Sequence, residues 1–123
     1  MKNTIILLAL CLTLFGCSSV GTHHKDASPE EVWNEMKACL KAGNISGALS
    51  YFSIASKDDY RETFRALSKE ELKSDVNSMG ILKVSSIESD NAQYYFEDDV
   101  EGTTITFPVE FVKENGKWKI MEY

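Results

Sequence analysis

The chain has 123 residues, 19 acidic against 13 basic, for a formal net charge of −6. That length bounds it to one domain's worth of core, and the acidic balance gives no electrostatic basis for binding nucleic acid. Three cysteines and two histidines exclude a disulfide framework and a histidine-rich metal site.

The amino terminus has the three parts of an export signal: a basic start at Lys2, an apolar run from Ile5 to Phe15, and the small residue Gly16. A helix needs ~20 apolar residues to cross a bilayer core, so this shorter run reads as a leader and not as a permanent span. The order Leu14-Phe15-Gly16-Cys17, followed by Ser18-Ser19, resembles the lipobox of bacterial lipoproteins. The resemblance implies that residues 1–16 are a removed signal peptide and that Cys17 carries a diacylglyceryl group. It also implies further acylation, palmitate for example, on the new amino terminus. The partner would then be a membrane, reached through the lipid anchor, and the location the cell envelope. Ser18 resembles the sorting pattern for an outer membrane facing the periplasm, in a cell with two membranes. Losing the leader removes Lys2 and Cys11, so the mature chain of 107 residues has a charge of −7. Cys39 is left as a lone thiol, which is expected to be buried because free cysteine behaves as a small hydrophobe.

Residues 17–27 form the lipidated cysteine and a small, polar, aperiodic tether with a reach of about 35 Å. His23 and His24 fall on it, without the cysteines or carboxylates a metal site would need. The folded part, 28–123, begins at Ser28-Pro29-Glu30-Glu31, a capping box with proline at the first helical position. Val32, Trp33, Met36, Cys39 and Leu40 then recur at helical spacing, and Gly43 supplies a left-handed stop. Asn44 caps a short helix carrying Ile45, Ala48, Leu49 and Phe52, weakened by Gly47. A third helix starts at Ser56 with Tyr60, Phe64 and Leu67 inward. Ser68-Lys69-Glu70-Glu71 repeats the capping box for a fourth, with Leu72, Val76 and Met79 inward and Gly80 as the stop. Lys57, Arg61, Arg65, Lys69 and Lys73 recur every fourth residue, with Asp58, Glu62 and Glu70 among them. This reads as a solvated face with local ion pairs.

From Ile81 the period changes to two, with turns at Ser89-Asp90-Asn91, Asp98 to Gly102 and Asn115-Gly116, which makes four strands. The two-residue Asn115-Gly116 turn predicts that Lys113 faces Trp118, Phe111 faces Ile120 and Val109 faces Glu122. Ile105, Phe107, Val109, Phe111, Trp118 and Ile120 then share the inner side. Pro108 implies a bulge or an unpaired edge, and a phase change near Ser85-Ser86 implies a second bulge. The acidic residues Glu97, Asp98, Asp99 and Glu101 read as a soluble turn, since they lack the oxygen spacing of a calcium loop.

Helices followed by a curved meander, each with one apolar face, predict an α+β fold: N-terminal helices packed on a curved four-stranded antiparallel sheet. Ser28 to Phe52 and the closing stretch Phe107 to Tyr123 resemble nuclear transport factor 2-like domains and their relatives in small bacterial lipoproteins, and cystatin-like domains share much of the pattern. The resemblance implies a cone with an apolar pocket, lined here by Trp33, Tyr51, Tyr60, Phe64, Tyr94, Phe96, Phe107, Phe111, Trp118 and Glu122. An aromatic inner face is more often plain core than a ligand box. No catalytic set, cofactor site or metal site is predicted. The expected function is a non-catalytic binding or interaction module for a small apolar ligand or an envelope protein. One alternative is an enzyme of ketosteroid-isomerase or dehydratase type, using Glu122 as a base beside Tyr94 or Tyr60. Another is a homodimer formed through the convex face with Thr104, Thr106, Glu110, Val112 and Met121.

Overall fold

Ser28 and Ser68 open their helices by the same device. Each side-chain oxygen accepts from the N–H three residues on, and the glutamate there, Glu31 or Glu71, accepts from the serine N–H in return. These reciprocal bonds satisfy donors that a helix start otherwise leaves unpaired. The computed structural model describes residues 26–123; the leader, Cys17, His23 and His24 lie outside the described residues.

Four helices precede four strands: α1 (Pro29–Lys41), α2 (Ile45–Leu49), α3 (Lys57–Arg65), α4 (Lys69–Ser78), β1 (Lys83–Ile87), β2 (Asn91–Val100), β3 (Thr103–Glu114) and β4 (Lys117–Glu122). The strands form one antiparallel sheet in the order β1-β2-β3-β4. This is the α+β layering that the change of period from helical to alternating predicts. One sheet face takes the helices. Trp33, Met36 and Leu40 of α1 are buried with Phe52, Phe64 and Leu72 against Ala92, Tyr94, Phe96, Val109, Phe111 and Ile120 of the strands.

The second helix is shorter than its apolar spacing predicts. After Leu49 the chain turns, and Phe52 forms a parallel bridge with Ile120. Ser53 N–H donates to the Ile120 carbonyl at 2.7 Å, and Ile120 N–H donates to the Tyr51 carbonyl at 2.8 Å. The segment after α2 thereby covers the outer edge of β4. Gly47, which weakened the helix prediction, has a positive role in the cap. A Cβ there would sit 2.4 Å from the side chain of Asn44, whose Oδ1 accepts from Gly47 N–H.

The sheet follows its expected register except at one place. Asn115 and Gly116 both have positive φ, the requirement of a tight two-residue hairpin turn, and they pair Lys113 with Trp118 and Phe111 with Ile120 as predicted. The bulge near Ser85 is present, between Val84 and Ser86. Pro108 lies beyond the reach of β4, which pairs with β3 only from Glu110 to Glu114. That edge of β3 has no strand partner at Pro108, so the missing N–H is tolerated.

Glu97, Asp98 and Asp99 belong to strand β2 and not to a loop; only Glu101 and Gly102 form the turn. Alternation therefore sends neighbouring carboxylates to opposite faces. Glu97 pairs with Lys83 at 2.6 Å, and Asp99 accepts from the Thr104 hydroxyl at 2.7 Å. Cys39 is half-buried against the core, less enclosed than its place on α1 predicts.

Candidate functional site

The ten residues predicted to line a pocket fall into three groups. Trp33, Phe64, Tyr94, Phe96 and Phe111 are core, each 5% exposed or less, with Tyr60 and Phe107 half-buried against them. Their rings meet one another. Trp33 lies 5.7 Å from Phe96, Tyr94 meets Phe111 edge-on at 5.4 Å, and Phe96 stacks on Phe107 at 5.1 Å. An aromatic inner face that interdigitates in this way is a packed core.

Glu122 does not face this core. The register slips between Phe111 and Glu110, so that Phe111 pairs with Ile120 but Glu110 pairs with Glu122, leaving Met121 as the extra residue of a bulge. One inserted residue exchanges the faces of everything after it. Glu122 is exposed on the same side as Glu110, and the predicted opposition to Val109 does not occur.

Tyr123 occupies the inner place instead. Its ring stacks on Tyr60 at 5.2 Å and meets Trp33 edge-on at 5.2 Å. The Tyr60 hydroxyl accepts from Tyr123 N–H at 2.8 Å and donates to the Tyr123 carbonyl at 3.2 Å. The slip turns Glu122 away from the inner face on which the proton-abstraction alternative places its base, although its charge still bears on Tyr60.

Burial raises the pKa of three tyrosines in or against the core. The Tyr94 hydroxyl is pushed up to about 12, first by burial and then by the Glu30 carboxylate, which lies near but outside hydrogen-bonding geometry. Tyr60 and Tyr123 are raised as well, burial again being the largest cause. An unfolded chain ionises these groups near pH ~10. Above that pH the unfolded state sheds protons that the folded state retains, so stability present below pH ~10 is lost as pH rises through about 12. Urea midpoints should therefore fall between about pH 9 and about pH 11, with a shallower fall in Tyr94→Phe. A flat profile would show that these hydroxyls are not buried as described.

The third group is Tyr51 and Trp118, which are half-buried and line an open surface groove of about 630 Å³. Val32 and Ala27 supply its other apolar surface, while Lys117 and Lys119 supply ammonium groups. The parts are held from several directions. Trp118 stands opposite Lys113, whose Nζ lies 4.9 Å from the indole centroid, a cation–π contact. Lys119 donates to the Ser50 carbonyl at 2.6 Å, and its ammonium is lowered by burial and then by Lys57. Glu114 accepts from the Ser53 hydroxyl and from Ile54 N–H, which pins the loop leading away from the groove.

The inner-face pattern selected Tyr51 and Trp118 but missed both lysines. Lys117 and Lys119 read as solvent-facing by alternation, and the groove exists because the segment after α2 runs beside β4. Among the described residues, no three histidine, cysteine or acidic side chains are grouped to hold a metal ion.

No family model matches the sequence, and no curated protein matches it. The fold is similar to that of a Campylobacter jejuni protein described as an NTF2-like transpeptidase, at a TM-score of 0.50 and 16% identity, covering 79% of this chain and 100% of that one. A SEC-C motif containing protein from Rhodopseudomonas palustris aligns at a TM-score of 0.47 and 14% identity, covering 77% and 76% of the two chains. The first likeness is one of fold alone, helices packed on a four-stranded antiparallel sheet, and carries nothing about activity.

Proposed function

We propose that this NTF2-like domain is a non-catalytic binding module, held at the cell envelope by a lipid on Cys17, and that it takes its ligand in the groove of Tyr51 and Trp118. The observation that carries this reading is the pairing in one open groove of two half-exposed aromatic rings with two ammonium groups. Rings offer a flat apolar surface, and the lysines offer charge to an acid group. The ligand class that fits is a ring-bearing molecule, or an envelope-protein segment, with a carboxylate or phosphate beside the ring.

Asp26 and Ala27 also line this groove, so the tether joins the domain at its wall. Under the lipid-anchor reading the groove stands close to the membrane, within reach of envelope components.

Native mass spectrometry of the protein isolated from envelopes tests this. The expected result is a retained small molecule that is lost from Trp118→Ala and from Lys117→Glu, both with unchanged far-ultraviolet circular dichroism. Retention by both variants would refute the groove as the binding site.

A further inference from the structure

Lys57, Arg61 and Arg65 recur one helical turn apart along α3 and line a second groove, of about 240 Å³, with Ile45 and Leu49 of α2. Ser50 belongs to both grooves, and Lys119, bonded to its carbonyl, continues the row toward β4. The every-fourth spacing extends in sequence to Lys69 and Lys73, but these sit on the separate helix α4. Among the described residues, the only ion pair in the row joins Arg61 to Asp58. Four cations thus adjoin in a chain whose formal net charge is −6.

The acidic residues concentrate elsewhere. Glu97, Asp98, Asp99 and Glu101 lie around the β2–β3 hairpin, at the end of the sheet opposite the Asn115-Gly116 turn. At ~3.3 Å per residue, the length of β3 puts the two ends about 35 Å apart. The basic row of α3 and β4 is thus set apart from these carboxylates, although Asp58, Asp59 and Glu62 are interspersed with it on α3 and Glu114 lies near Lys119.

Two further observations say what the row meets. Ile54 is 81% exposed and precedes Lys57 by three residues in the chain, and its N–H is held by the Glu114 carboxylate. The tether joins the domain in the adjoining groove, at Asp26 and Ala27. Residues 17–25 span at most ~30 Å, which keeps any lipid on Cys17 within that distance of Asp26, on the groove that adjoins the row.

We propose that the row Lys57, Arg61, Arg65 and Lys119, together with Ile54, rests on the anionic phospholipid headgroups of the bilayer in which Cys17 is anchored. The proposal rests on the lipid-anchor reading and adds an orientation to it. Each cation near an anionic surface strengthens association by a factor of about five, and the attraction fades over a screening length of ~10 Å. Four such contacts are weak for a freely diffusing protein, but a short tether supplies a high effective concentration. Ile54 enters the headgroup boundary, and the acidic hairpin is repelled outward.

The test uses the mature protein reconstituted into phosphatidylcholine vesicles, with or without phosphatidylglycerol, with bromine-labelled acyl chains as quencher. Ile54→Trp places an indole just before the row in the chain, and the parent protein gives the background from Trp33 and Trp118. The expected result is strong quenching of the added indole only when phosphatidylglycerol is present, reversed by high salt. Combining it with Arg61→Glu and Arg65→Glu should weaken the interaction by roughly 25-fold or more at low salt. Ile81→Trp, at a position 87% exposed before β1, should stay unquenched.

Equal quenching in both lipids, equal quenching at Ile81→Trp, or full quenching after the charge swaps would overturn the proposal. So would a blue shift in phosphatidylcholine that grows with protein concentration, since that assigns the face to a second copy of the chain. The mass of the amino-terminal peptide reports acylation separately. If acyl chains are missing, the anchor reading fails, and the contrast between lipids at high vesicle concentration still decides the row.

Discussion

Phe52→Ala is expected to cost about 3–5 kcal/mol, a large part of the stability of a domain this size. Phe52 is fully buried, with its ring 4.4 Å from Tyr60, 5.7 Å from Phe64 and 6.2 Å from Tyr123. Truncation would empty the space between two rings of α3 and the Tyr123 ring that follows β4, and none can move in without leaving its other contacts. Phe52 also stands in the bridge to Ile120, so the loss would loosen the segment covering the edge of β4. Urea denaturation should show a much lower midpoint, with Phe52→Leu recovering a good part of it. A cost below ~1 kcal/mol would mean that the rings close over the gap and that Phe52 is not central to the core.

Cys17→Ala is expected to abolish membrane retention. The expectation belongs to the proposed lipid anchor, because Cys17 lies outside the described residues. Each buried methylene of an acyl chain contributes about 0.8 kcal/mol, one chain anchors only marginally, and two or more anchor stably. Alanine offers no sulfur to acylate, so all of that contribution is lost together. The cationic row cannot replace it, since its attraction acts over a screening length of ~10 Å and the lipid that keeps it there is gone. Fractionation should find Cys17→Ala outside the membrane fraction. A variant that partitions with membranes as the parent does would refute the anchor, leaving the row to be decided by the contrast between lipids.

The fold was legible where one local signal dictates one geometry. Ser28 and Ser68 with their glutamates, Asn44 as a cap, and Asn115-Gly116 as a hairpin turn all act as their residue types require. The departures arose where distant chain segments decide. Phe52 has helical spacing from Leu49 but leaves the helix, because its backbone groups and ring find better partners beside Ile120. The bulge at Met121 has no proline or glycine to announce it, and it exchanges Glu122 for Tyr123 on the inner face. Alternation also assigned the aromatic residues to one face correctly, yet could not tell packed rings from rings at a rim. That distinction depends on how far the helices extend over β4, which leaves Trp118 half-exposed while Ile120 is sealed.

The bridge between Phe52 and Ile120 also bears on how the chain reaches its folded state. The meander from β2 to β4 is assembled from neighbouring strands joined by short turns, each closing a small loop. The bridge instead joins the helical half to the last strand, and the entropy lost in closing a loop grows with its length. Contacts of that kind are assembled late, after the local hairpins have reduced the search. The contact that covers β4 is thus the step that joins two separately ordered halves, and until it forms β4 is an open template for another strand.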